Sequence, residues 1–427
     1  MDPCDNFYRH VCPADIPQKD VIPRNFLPQS VQDSLMEKAR KKSSLVETAL
    51  GVANMTGMLP PEYGYPLDFF KNLIFELKYA DGFFDYLIKN NLLSTEFYDK
   101  LDTKMELMEG ILEEQIEKTT ASQMDAEMKR KFEDWSLTLR INLGLMNEGI
   151  VMPNFTKIYM LLGDLYQDLI DTQMRPADAG RLVMEMLWNF YRVDWTWFQK
   201  LGYLQAFNSY YAPKLHSLVI LESALLVAKG TTDAVFWGST GAIYGHEIQH
   251  ALFKDETFED PQLLMQRQCL HEFKTTLCDE FGDEDPQLSG GCVFYYCSCK
   301  ENAQKDTYAE DVADLEGSQL AYLSMEREIG KENLKKNPYS DLDLTNQQLF
   351  FYAYGALTCV QSPGHYHDSR DVHSGMWMRT MMLAGLSQNF QEAFQCDSNS
   401  RLTRVHETAL NQCNHYGESP LLMEFRK

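Results

Sequence analysis

His246-Glu247-Ile248-Gln249-His250 constrains this chain more than any other stretch. On a helix, two imidazoles four residues apart face the same way and can hold one Zn²⁺ between them. Glu247 then sits beside the metal. A zinc-bound water has its pKa lowered towards neutrality, and a carboxylate within hydrogen-bond reach can take its proton as it attacks a carbonyl, which is metallopeptidase chemistry. The lead-in, Phe236 to Gly245, is rich in small residues and carries Ser239 and Thr240, a pair able to cap a helix. Apolar Ile243, Ile248, Ala251 and Leu252 supply a side to bury.

A zinc site needs a third ligand. Downstream lies Thr307-Tyr308-Ala309-Glu310-Asp311-Val312-Ala313-Asp314, the expected start of a helix reaching about Arg327. Glu310 and Asp314 are one turn apart, so the first can ligate the metal while the second accepts the free ring N–H of a ligand histidine. The same acidic residues would also suit a first helical turn stabilised by the helix dipole. The His-Glu-x-x-His upstream favours the ligand reading.

These residues resemble the His-Glu-x-x-His and Glu-x-x-x-Asp pair of the neprilysin and endothelin-converting-enzyme family of zinc metallopeptidases. Other blocks resemble that family in the same order. They are Cys4 to Cys12, Phe207-Asn208-Ser209-Tyr210-Tyr211, Gln347 to Phe351 with Cys359, and His373 to Arg379 followed by Phe394-Gln395-Cys396. The resemblance implies His246, His250 and Glu310 as ligands of one zinc, Glu247 as general base and then acid, and Asp314 as support behind a ligand histidine. It further implies His373 as oxyanion stabiliser, Arg379 gripping a substrate carbonyl or carboxylate, and Asn208 with the Ser209 backbone pairing with an extended peptide. It also implies Cys4–Cys396, Cys12–Cys359 and Cys269–Cys413 disulfides. Cys278, Cys292, Cys297 and Cys299 are left for two bridges of open connectivity.

The chain departs from the family in places. Ala251-Leu252-Phe253 follows His250 where Gly-Phe-Asp is usual, Thr380-Met381 follows Arg379, and Thr358 stands where a Trp often lines the pocket after the scissile bond. Residues 13–206 are far fewer than the family's usual spacing, so much of the helical lobe that roofs its active site is expected to be missing or rebuilt.

The chain has 427 residues and 44% hydrophobic content, enough for a large core and most naturally two lobes. Its net charge of −23 argues against nucleic-acid and anionic-membrane partners. The most apolar run, Leu215 to Ala228, is too short to span a bilayer, and Met1 to Cys4 does not look like a signal peptide. Either this is a mature or trimmed ectodomain, or an exon is missing. Ten cysteines, with sequons at Asn54 and Asn154, point to an oxidising, extracellular setting and a glycoprotein.

Residues 31–52 and 92–149 carry helical periodicity, 214–220 reads as a strand, 255–305 as Cys-rich and irregular, and 361–373 as a polar loop holding His365 and His367. The expected fold is mainly α with a small β component (α+β). The resemblance makes it a two-lobed zincin-type metallopeptidase with a thermolysin-like catalytic lobe. Expected boundaries are 1–30 for an N-terminal segment packed on the catalytic lobe, 31–205 for a shortened helical lobe and 206–427 for the catalytic lobe. The expected function is a zinc endopeptidase cleaving oligopeptides on the amino side of hydrophobic residues. The alternative is a catalytically silent relative acting as an extracellular binding protein. Oligomeric state is open.

Overall fold

The computed structural model describes residues 2–12, 30–41, 95–120, 140–143, 209–212, 217–227, 229–252, 261–281, 296–297, 306–359, 367–368 and 372–414, with scattered positions at 82–94, 299 and 303. They are mostly helical with a small sheet component, as expected. The helices that position the site are α1 (Phe7–Val11), α2 (Thr95–Thr120), α3 (Glu222–Leu226), α4 (Asp233–Phe236), α5 (Ala242–Leu252), α6 (Pro261–Phe281) and α7 (Tyr308–Ile329). They are followed by α8 (Asn346–Thr358), α9 (Met376–Leu386), α10 (Gln388–Phe394) and α11 (Arg401–Asn414).

β1 (Arg140–Leu143), β2 (Ser209–Ala212) and β3 (Ser217–Ile220) form a sheet in the order β1-β3-β2, with β1 parallel and β2 antiparallel to β3. β3 lies within the expected 214–220 strand. Its Leu218, Val219 and Ile220 are fully buried, which suits a short apolar run in the middle of a sheet. Arg140–Leu143 corrects the helical reading of 92–149. Four residues are too few for periodicity to decide between helix and strand, and pairing with β3 settles it.

A second correction concerns 255–305, where α6 runs for 21 residues. Cys269, Leu270, Phe273, Leu277, Cys278 and Phe281 recur at helical spacing and are all buried. The loop at 361–373 likewise contributes β5 (His367–Asp368), paired with β4 (Tyr296–Cys297), so His367 is strand rather than free loop. Ser239 and Thr240 are not caps either. They lie in a π turn, Trp237–Gly241, that joins α4 to α5, and their hydroxyls donate to the Val235 and Ala224 carbonyls. The cap is Thr232, whose side chain accepts from the Val235 N–H.

The N-terminus is pinned to the C-terminal helices. Asn6 caps α1, Phe7 packs edge-on against Phe390 with centroids 4.8 Å apart, and Cys4–Cys396 and Cys12–Cys359 are bridged as the resemblance implied. Cys278–Cys299 is one of the bridges left open from sequence. Cys269 is also disulfide-bonded. α2 packs directly on α7 and shares one hydrophobic core with α5 and α7 through Met105, Met108 and Ile111. No helix among the described residues is long and apolar enough to cross a membrane.

Candidate metal centre

Two helices build the site. α5 presents His246, Glu247 and His250, and α7 presents Glu310 and Asp314. They cross where Gly245 faces Gly317, so backbone meets backbone, and His246, next to the first glycine, meets Asp314, three residues before the second. His246 Nε2 and His250 Nε2 lie 2.9 Å apart, and both face Glu310 Oε2, at 3.3 and 3.1 Å. His373, at the approach to α9, brings its Nε2 to 3.1 Å from the same oxygen. Donor atoms of His246, Glu310 and His373 all fall within 4.8 Å of one another.

Behind this cluster, Asp314 Oδ1 accepts from His246 Nδ1 at 2.9 Å, which leaves Nε2 facing Glu310 and His250. Arg379 of α9 forks onto Asp314, with Nε to Oδ2 at 2.5 Å and Nη2 to Oδ1 at 2.6 Å. Glu247 is 5% exposed and does not join the donor cluster. The backbone N–H of Tyr211, on β2, donates to its carboxylate.

The electrostatics follow from this packing. Burial disfavours a charged His246, but hydrogen bonds to Asp314 and Glu310 push it up to about 10. Burial raises Glu310 as well, yet hydrogen bonds from His246, His250 and His373 hold it far below the usual carboxylate range. Asp314 is likewise held low, the opposing burial outweighed by Arg379 and His246. Glu247 goes the other way. Burial raises it, and the neighbouring histidines and the Tyr211 N–H only partly offset that.

The donor set suits a metal ion. Zn–N and Zn–O bonds of about 2.0–2.1 Å put tetrahedral ligand atoms roughly 3.3 Å apart, close to the 2.9–3.3 Å found among His246, His250 and Glu310. Two imidazoles and a carboxylate form a familiar catalytic zinc set that leaves a coordination position open.

Of the residues singled out from sequence, the structure brings His246, His250, Glu310, Asp314, His373 and Arg379 into one contact network, with Glu247 beside it. Asn208 lies outside the described residues. Ser209 is on β2, two residues from Tyr211, so their main-chain groups project to the same side of the strand. Thr358 and Thr380, two departures from the family pattern, prove to be partners, their buried hydroxyls 2.5 Å apart. Sequence reasoning missed Lys274, on the helix read as irregular, whose ammonium is buried beside Thr307, Asp311 and Ser374. The apolar spacing of α6 was the signal that could have located it.

Residues 208–410 match the model of Peptidase family M13. The chain is 26% identical over 206 residues to endothelin-converting enzyme 1 of Cavia porcellus, a match covering 47% of this chain and 27% of that protein. It is 24% identical over 216 residues to Neprilysin-1 of Trittame loki, covering 48% and 29%. The chain thus spans under a third of the length of these relatives. Among solved structures it is similar to the Mycobacterium tuberculosis zinc metalloprotease Zmp1 in its open state. There the TM-score is 0.49 at 15% identity, over 79% of this chain and 52% of that one. The similarity to Peptidase family M13 thus spans residues 208–410, a little under half of this chain.

Proposed function

We propose that the chain is a zinc-dependent endopeptidase that cleaves oligopeptides on the amino side of hydrophobic residues. The observation that carries this reading is the convergence of His246, His250 and Glu310 donor atoms within 3.3 Å, beside a buried glutamate on the same helix. His250 is taken as third ligand over His373 because it sits one turn from His246 on a helix, whereas His373 is on a connecting segment with its side chain 38% exposed. A zinc ion held there would supply Lewis-acid polarisation of the scissile carbonyl and lower the pKa of the attacking water.

The remaining steps belong to side chains. Glu247 takes the proton of the attacking water and returns it to the leaving amine, and its upward-shifted pKa suits a group that must both accept and release a proton. His373 donates to the oxyanion as the carbonyl becomes tetrahedral. Arg379 holds Asp314, and through it His246, while its Nη1, which among the described residues otherwise reaches only the Met376 sulfur at 4.0 Å, would grip a substrate carbonyl. Asn208 and Ser209 would hold an extended peptide along β2 by main-chain hydrogen bonds. Ile243 and Leu357 are proposed for the pocket after the scissile bond, where burying a Leu, Ile, Phe or Met contributes about 1.5–3 kcal/mol.

In domain terms, we propose 206–427 as the catalytic lobe and 31–205 as a shortened helical lobe, tied together through α2. An extracellular setting fits the observed disulfides. The test is metal analysis of purified protein together with cleavage of a quenched hydrophobic peptide. Stoichiometric zinc with hydrolysis abolished in Glu247→Gln is the expected result. Activity that survives Glu247→Gln, or a cleavage profile favouring charged residues after the scissile bond, would overturn it. Zinc without any hydrolysis would favour a silent binding protein.

A further inference from the structure

Behind the metal centre lies a second polar cluster that the proposed chemistry does not use. Lys274 of α6 is 3% exposed, and its Nζ donates to Thr307 Oγ1 at 2.7 Å, to Asp311 Oδ2 at 2.9 Å and to Ser374 Oγ at 3.4 Å. Thr307 Oγ1 in turn lies 2.7 Å from Asp311 Oδ2 and 2.8 Å from Ser374 Oγ. All four residues are buried.

Their neighbours in sequence give the cluster its meaning. Asp311 follows Glu310, Ser374 follows His373, and Thr307 is the N-cap of α7. The cluster therefore joins the first turn of the Glu310 helix to the segment that carries His373. One peptide unit away, His373 Nε2 meets Glu310 Oε2 at 3.1 Å.

Stability does not account for it. A buried ion pair is commonly matched or bettered by apolar residues of similar volume, and among the described residues Asp311 Oδ1 has no hydrogen-bond partner. Mutually hydrogen-bonded polar groups do fix geometry, because each donor accepts only a narrow set of positions for its partners.

We propose that Lys274 is a positioning residue for His373, clamping the His373 segment to the N-terminal turn of α7 through Asp311, Thr307 and Ser374. The inference rests on the reading of His373 as oxyanion donor, but the clamp itself can be tested without catalysis.

Two variants suit the test. Lys274→Met with Asp311→Asn removes both charges together, so no unpaired charge stays buried, and Ser374→Ala deletes one hydroxyl. Each is expected to lower kcat about tenfold with KM within about twofold and zinc content unchanged, as for a misplaced transition-state donor. In a His373→Ala background neither should lower kcat further, because residues acting through one group are not additive. Diethyl pyrocarbonate modification of His373, followed by peptide mass spectrometry, should be severalfold faster in the double variant than in the unaltered protein. A kcat loss that persists in the His373→Ala background, or an unchanged His373 modification rate, would overturn the clamp. Should the unaltered protein hydrolyse no peptide, the functional reading fails and the modification rate still decides the clamp.

Discussion

Gly245 of α5 and Gly317 of α7 meet backbone to backbone, so that a β-carbon on Gly245 would overlap the Gly317 carbonyl and one on Gly317 would overlap the His246 backbone. No side chain fits between the helices there. The convergence of His246 and His250 with Glu310 depends on this approach, since it fixes the distance between the two helices at the site itself. Gly317→Ala should push them apart, costing about 1–3 kcal/mol in stability. It should also weaken zinc binding by tenfold or more. Thermal unfolding and competition with a zinc chelator measure the two effects, and unchanged zinc affinity would refute the geometric argument.

Metal content separates the roles assigned to the site residues. Glu310→Ala and His250→Ala should lose zinc together with activity, because each removes a donor. Glu247→Gln should keep zinc and lose hydrolysis. His373→Ala should also keep zinc, with kcat lower by about 10²-fold, as for removal of one oxyanion donor. If His373→Ala loses the metal while His250→Ala retains it, the third ligand is His373, whose Nε2 approaches Glu310 as closely as that of His250.

The parts legible in sequence were those with short-range periodicity or fixed spacing. His246 and His250, and likewise Glu310 and Asp314, share a helix face because four residues make about one turn, and that holds wherever the helix packs. The crossing of α5 on α7 is long-range. It shows in sequence only as two glycines, Gly245 and Gly317, with nothing to pair them. Helix α6 was hidden by its cysteines and charges, although Leu270, Phe273, Leu277 and Phe281 keep a helical period. Arg140–Leu143 is too short for any period to show, and only pairing with β3 makes it a strand.

A pH effect on stability should arise at a histidine outside the metal centre. His406 of α11 is 9% exposed, and its Nδ1 lies 2.9 Å from the Gly385 carbonyl, which can only accept. Burial lowers its pKa below the ordinary 6.5, the Gly385 hydrogen bond and Glu407 opposing only in part. Above 6.5 the imidazole is neutral in both folded and unfolded chains, and its contribution is fully present. As pH falls below 6.5 the unfolded chain takes up the proton first, so stability is lost down to the folded pKa, at up to about 1.4 kcal/mol per pH unit. Urea unfolding between pH 8 and 5 should show a shallower decline in His406→Asn, whose amide can still donate to Gly385. Parallel curves would exclude His406 as the source.

Lys104 is one of the polar contacts that fasten α2 to its neighbours, beside Glu109–Tyr244 and Glu114–Arg327. Its Nζ reaches Asp233 Oδ1 at 2.8 Å and Glu328 Oε2 at 2.5 Å, and lies 4.8 Å from the Phe236 ring centroid and 5.4 Å from that of Trp237. Trp237 Nε1 donates to the same Glu328 carboxylate at 2.6 Å, so one acid receives both the ammonium and the indole. The Lys104 side chain is only 15% exposed, which sets it apart from the solvated i,i+4 pair of Lys100 and Glu96 farther up the same helix. Pairs of the solvated kind contribute about 0–1 kcal/mol, whereas a shielded ammonium over two aromatic faces adds cation–π attraction of about 1–2 kcal/mol. Lys104→Met keeps the aliphatic stem and removes the charge, so the loss measures the ammonium rather than the packing. It should destabilise the protein by about 1–3 kcal/mol and speed proteolytic cleavage within 95–120, while Lys100→Met changes neither measurably. Raising salt to 0.5 M should weaken the part owed to the half-exposed Asp233 and leave most of the part owed to Glu328 and the two aromatic faces. Equal responses in the two variants would show that α2 is held without the Lys104 ammonium, by its apolar face and by the Glu109–Tyr244 and Glu114–Arg327 contacts.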